Sequence, residues 1–248
     1  MPVSIITRAL ALLLFVSCGT TSGQLESVEM DPLAFRAVRG PDGVIRVQTE
    51  DLGESYAKAE TALEAGKFED AARAFAGVAD LVPEGAMGRA ARYNAAFCFE
   101  AALLHKEALQ QYLMALKLPP EQRSDSQIRL RIAYQYEALE QWAKVETVLQ
   151  PVSTRQVPKI QRLELSTLIG AAYKGQKKWR DAERWLREAV HFWRRHQEDE
   201  LIKESPVISK ALFVLAEILH QRFLDQALRL PLERMKEDLK NKSSSFED

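Results

Sequence analysis

Along residues 177–190, KKWRDAERWLREAV, the apolar positions are Trp179, Ala182, Leu186 and Ala189. Steps of three, four and three draw a single stripe along a helix. The same four slots recur 37 residues earlier as Trp142, Val145, Leu149 and Val152, then as His105, Ala108, Tyr112 and Ala115, then as Phe68, Ala71, Phe75 and Val78. A preceding helix repeats in phase. It pairs Gly170 with Tyr173, Ala133 with Tyr136, Ala96 with Phe99, and Ala59 with Ala62. The first of each pair is small, which lets two backbones approach; the second is an aromatic wedge, lost only in the first unit. A 37-residue helix–turn–helix used four times between Leu52 and about Arg195 follows from this recurrence. The expected pairs are 52–65 with 68–81, 89–103 with 105–117, 126–139 with 142–150, and 161–175 with 179–195. Prolines 83, 119, 120, 151 and 158 fall between them, where they interrupt helices. Such pairs bury their apolar faces by stacking, so the expectation is an all-α solenoid.

The flanks differ. Phe35–Arg39 and Val44–Gln48 alternate apolar with polar residues around Gly40-Pro41-Asp42-Gly43. This pattern fits a short β-hairpin, with a linker bearing a local turn as the other reading. Beyond Gln197 a polar loop leads to Ser205-Pro206, a long helix over about 207–230, and a shorter amphipathic helix from Pro231 to about Lys240. These last two suit a terminal cap. At the other end, Arg8 precedes an apolar run, Ala9–Val16, too short to span a bilayer and fitting a secretory signal. The expected division is a signal segment 1–17, a tether 18–33, the hairpin or linker 34–51, the repeats 52–197, and capping helices with a frayed tail 198–248.

The order of slots resembles the tetratricopeptide repeat (TPR), above all in Gly66-Lys67-Phe68-Glu69-Asp70-Ala71 and Leu168-Ile169-Gly170-Ala171-Ala172-Tyr173. The family's period is 34, so three extra residues per unit are expected between a second helix and the next first helix. The resemblance covers about three-fifths of the chain and implies a right-handed TPR-like array of four hairpins whose first helices line a concave, partner-binding face. Carried onto this sequence, that face would hold Tyr56, Tyr93, Asn94, Phe97, Leu130, Arg131, Tyr134 and Glu137, aromatic and Arg side chains being typical anchors. For Tyr93 and Phe97 the alternative is packing between repeats. Asn94 and Arg131 also match two positions of the family's carboxylate clamp, but Tyr56, Glu60 and Gln127 occupy its other positions, and Glu60 would repel a carboxylate. A generic peptide groove is the expectation.

Phe15-Val16-Ser17-Cys18-Gly19 resembles a lipobox, with Phe15 where the motif usually has Leu. The resemblance implies lipidation of Cys18, a polar tether in Gly19–Gln24, and, because residue 19 is Gly, residence in the outer membrane facing the periplasm. Removal of Arg8 with the leader leaves 33 basic against 35 acidic residues, a charge of −2. This supplies no global basic field for nucleic acid. Eight Lys or Arg against three acids between Lys174 and Arg195 make a local basic run. Lys174, Lys177, Lys178, Arg194 and Arg195 are either a solvated face or a patch for an acidic protein or lipid headgroups.

With two cysteines, Cys18 and Cys98, there is no disulfide framework. Cys98 reads as a small buried residue and His105 as a packing one. His191 and His196, five apart, fall on different helix faces. No phosphate loop, nucleophile elbow or zinc motif occurs. The expectation is therefore a non-enzymatic scaffold with no cofactor, metal, nucleic acid or small-molecule substrate, its partners being proteins of an envelope complex. Lipoproteins of this kind serve gliding motility, type IV pili or secretion. The alternative is an accessory that recruits a cell-wall or transport enzyme.

Overall fold

The computed structural model describes residues 33–39, 45–119, 124–154, 157–224, 233–234, 236–237 and 239–240. The expected signal segment, Cys18 and nearly all of the tether lie outside these residues, as does the Pro-Asp-Gly turn.

Strands β1 (Leu33–Arg39) and β2 (Ile45–Asp51) pair antiparallel from Leu33↔Asp51 to Arg39↔Ile45. A lone two-stranded hairpin is marginal in water; this one lies against α1 (Leu52–Glu64), and β1 also touches α2 (Phe68–Leu81). The strand passes directly into the helix because the Asp51 carboxylate accepts from the Glu54 backbone N–H at 3.0 Å, satisfying one orphan donor of the first turn.

The array continues with α3 (Gly85–Ala101), α4 (His105–Lys117), α5 (Ser124–Ala138), α6 (Trp142–Leu149), α7 (Lys159–Gly175) and α8 (Trp179–Arg195). Each second helix packs on its own first helix and on the first helix of the next hairpin. This is the TPR-like solenoid expected from the slots. The turns inside the four hairpins are alike. Gly66, Leu103, Glu140 and Lys177, each 37 residues from the next, take left-handed φ of 71°, 59°, 56° and 60°. At each turn two bonds close the helix: Lys67 N–H reaches Ala62 O and Gly66 N–H reaches Leu63 O, both at 2.9 Å, and the other three turns copy them. That is the Schellman pattern. Only the first turn uses the residue that adopts this conformation freely.

The three extra residues per unit are not a uniform spacer. α3 begins at Gly85 rather than 89 and α7 at Lys159 rather than 161, so part of the added length extends first helices to 17 residues. The small slot has a steric cause: a Cβ at Gly170 would stand 2.6 Å from Leu186 Cγ. Ala59, Ala96 and Ala133, its counterparts, have no exposed surface. Beyond α8, a short α9 (Glu200–Lys203) leads to α10 (Pro206–Leu224), which packs on α7 and α8 through Val207, Ile208, Ala211, Val214 and Ile218. α10 thus stands where a fifth first helix would.

Candidate functional site

The first helices carry corresponding side chains at intervals of 37, and these meet between repeats. Asn94 of α3 donates its amide to the Tyr56 hydroxyl of α1. One joint on, Gln127 of α5 donates to Tyr93 of α3 at 2.9 Å. Beside it, Arg131 of α5 pairs with Glu100 of α3 at 3.2 Å, and Glu100 also accepts from Tyr112 at 2.8 Å. Tyr112 stacks edge-on against Tyr93 with ring centroids 5.6 Å apart. His105, in its aromatic slot, bonds Gln135 at 2.9 Å. The result is a polar seam laid inside the solenoid.

Burial works against the Arg131 charge, but Glu100 and the surrounding hydroxyls outweigh it and hold the group above its ordinary pKa. Burial, reinforced by Glu100, pushes the Tyr112 hydroxyl well up. The next joint is different. Glu164 of α7 occupies Gln127's slot, and Leu130 occupies Tyr93's. A leucine offers no hydroxyl, and Glu164 Oε1 is buried without a hydrogen-bond partner. Glu164 is 3% exposed, and burial pushes its carboxyl up to about 7 while Arg131 holds it back. Sequence reasoning passed over Glu164; the signal was a lone carboxylate in a slot whose earlier occupants are Ala90 and Gln127.

This arrangement corrects the expected groove. Tyr93, Asn94, Leu130 and Arg131 are 0, 0, 3 and 4% exposed and tie repeats together. Tyr56 is buried as well, edge-on to Phe75. The reason is that a first helix is covered by its own partner and by both neighbouring hairpins. What keeps open surface is Phe97, with the Arg131 guanidinium 5.9 Å from its ring centre, together with Tyr134 and Glu137. Lys210 of α10 reaches across to this edge, lying over the Tyr134 ring at 5.5 Å and pairing with Glu137.

The expected basic patch is divided. Lys174 pairs with Glu217 at 3.0 Å, and Lys178 lies 3.9 Å from Glu146 and over the Tyr173 ring. Lys177 is exposed in its turn. Arg194 and Arg195 stand at the far end of α8, roughly 25 Å away at 1.5 Å per residue. Between them Arg184 and Arg187 bond acids on their own helix, and Glu188 takes Arg162 at 3.1 Å.

Cys98 is wholly buried and its thiol is pushed up to about 12 by desolvation, which makes it a packing residue. Among the described residues no three His, Cys, Asp or Glu side chains gather in a way that could hold a metal. No helix among them is long and apolar enough to cross a membrane. An open depression beside Trp142 is lined by Glu140, Gln141, Ala143, Lys144 and Gln176.

No protein-family model matches the sequence, and no curated protein matches it. Solved structures do. One is a protein of Podosopora anserina described as a kinesin light chain with nearly identical TPR-like repeats. At 16% identity it covers 70% of this chain and 87% of its own, with a TM-score of 0.53. A single-substitution variant of those repeats is 15% identical over 78% of this chain and 93% of its own, with a TM-score of 0.55. A fragment of MamA from Desulfovibrio magneticus RS-1 is 16% identical over 72% of this chain and 99% of its own, with a TM-score of 0.46. At such identities the likeness is one of fold alone, a TPR-like array.

Proposed function

We propose that this chain is a non-enzymatic scaffold of the bacterial envelope. It is anchored in the outer membrane through lipid on Cys18 and faces the periplasm. There it holds together protein subunits of a gliding-motility, type IV pilus or secretion complex. The observation that carries the binding half of this reading is the edge where Phe97 and Tyr134, one repeat apart, keep open surface above a buried polar seam. A stiff seam beneath presents those rings without having to order them on binding, which lowers the cost of association. Support for the anchored half comes from the apolar run before Cys18 and the polar stretch after it. Multiple acyl chains bind membranes far more firmly than one.

Fractionation of cells carrying Cys18→Ser tests the anchor. The variant should leave the membrane fraction for the soluble envelope fraction, and retention in the membrane would contradict the assignment. Co-purification of the wild type from detergent-solubilised membranes tests the rest. Secretin, motor or porin-like partners support the scaffold. A wall hydrolase or synthase instead would make it a recruiting accessory, and turnover by the purified protein alone would defeat both.

A further inference from the structure

α10 is built on two unlike faces. Its inner face is buried on α7 and α8, and the charges beside it are engaged: Lys210 bonds Glu137, Glu217 bonds Lys174, and Arg222 bonds Glu183. On its outer face Leu212, Phe213, Leu219, Phe223 and Leu224 are 43, 66, 42, 71 and 60% exposed, with Ala216 and His220 open between them. At 3.6 residues per turn these seven fall within roughly 140° of the helix circumference. None of them is Asp, Glu, Lys or Arg. A contiguous apolar stripe left wet marks a surface that something covers.

The order of residues along the stripe says what fits it. Leu212-Phe213 stands at one end and Phe223-Leu224 at the other, so the stripe has like ends in reversed order. A two-fold interface lays one surface on itself, residue i meeting j while j meets i. Two α10 helices running antiparallel, crossing at the level of Ile218, satisfy that condition. Leu212 of one copy then meets Leu224 of the other, Phe213 meets Phe223, and the short Ala216 leaves room for His220. Area agrees. At roughly 200 Å² for each large side chain, the open fractions leave on the order of 600 Å² per copy. Two such faces bury on the order of 1,200 Å², the lower end of specific interfaces. Charge agrees as well, since a face without formal charge meets its own copy without repulsion. A lipid surface is served less well: interfacial helices flank their apolar side with free Lys and Arg, whereas Lys210 and Arg222 are bonded to acids.

We propose that the outer face of α10 is a homodimer interface, in which two copies of this chain pair their α10 helices antiparallel about a two-fold axis near Ile218. The pair joins two arrays through their last helices and gives one particle two Phe97–Tyr134 edges. A partner that is itself multivalent then gains avidity with no new contact. The dimer does not depend on the envelope assignment.

The full chain carrying Cys18→Ser is the test, free of any lipid on that residue. Sedimentation equilibrium at tens of micromolar should give the mass of two chains. Phe213→Asp should weaken the dimer by about tenfold or more, because the substitution enters a two-fold interface twice. Its melting point at submicromolar protein should stay near that of the parent, since Phe213 lies on the open face. Register is read separately. Leu212→Cys and Leu224→Cys are made in two chains of different mass; Cys98, buried, does not compete. Mixed and mildly oxidised, they should give a disulfide joining the two different chains, while each alone stays uncrosslinked. A monomer throughout, a dimer that Phe213→Asp leaves intact, or Leu212→Cys chains linked to themselves would each overturn the proposal. So would a monomer that binds anionic phospholipid vesicles and loses them on Phe213→Asp, which would make a lipid surface the occupant.

Discussion

At the joint between the second and third hairpins, Gln127 meets a tyrosine and Arg131 meets Glu100, so the part-buried amide and both buried charges have partners. At the joint between the third and fourth hairpins the corresponding slots bring Glu164 and Leu130, and one carboxylate oxygen is left bare. The backbones of the hairpins are matched, down to a left-handed residue at the same turn position. Repetition therefore fixes where side chains stand, while the residue in each slot decides whether the joint is satisfied. A single mismatched rung is tolerated because stacking on either side supplies most of the stability, and its cost appears as sensitivity to protons.

The largest effect should come from breaking the satisfied joint. Arg131→Met leaves Glu100 buried without its counter-charge, and breaking a buried pair typically costs about 3–5 kcal/mol. A denaturant melt should show a loss of that order; a midpoint within experimental error of wild type would mean the seam is ornamental. The mismatched joint should respond in the opposite sense. Folding raises the Glu164 pKa from its ordinary 4.5 to about 7, so folding favours the protonated acid. Its stabilising contribution is present below 4.5 and is lost as pH rises through 7, so wild-type stability should fall across that window and level off above it. At about 1.36 kcal/mol per pH unit the whole change is about 3 kcal/mol. Glu164→Gln should flatten the slope and melt higher than wild type at pH 8, and an unchanged pH profile would contradict the assignment. The smallest effect concerns the turns. Leu103, Glu140 and Lys177 occupy a conformation that costs an L-residue about 1–2 kcal/mol, offset partly by the backbone entropy of Gly. Lys177→Gly should stabilise by up to about 1 kcal/mol, whereas Gly66→Ala should destabilise by a similar amount, both read from thermal melts.

Helices, hairpin pairing and stacking were legible in the sequence because a stripe at steps of three, four and three has one helical explanation and its recurrence has one architectural one. The places of the four turns were legible as the gaps within the helix pairs; their left-handed backbone was not read from the sequence, and at Leu103, Glu140 and Lys177 no propensity marks it. The exposed edge at Phe97 and Tyr134 was legible only in part. Projection onto a helix identifies a face but not what comes to cover it: between Gly88 and Glu100 only Arg92 and Phe97 escape burial, because α2 and α4 pack on α3 and Gln127 and Arg131 of α5 reach its Tyr93 and Glu100. Likewise the basic run looked continuous in part because two of its acidic partners are distant in sequence, Glu217 bonding Lys174 from 43 residues away and Glu146 lying by Lys178.

The partly exposed rings of Phe97 and Tyr134, and not the buried seam, are the surface proposed to meet the partner. Proteins co-purifying with the wild type should be compared with those retained by a Phe97→Ser, Tyr134→Ser variant that melts close to wild type. The account predicts that the variant stays anchored, keeps its fold and loses its partners. An unchanged set of partners on a well-folded variant would contradict it.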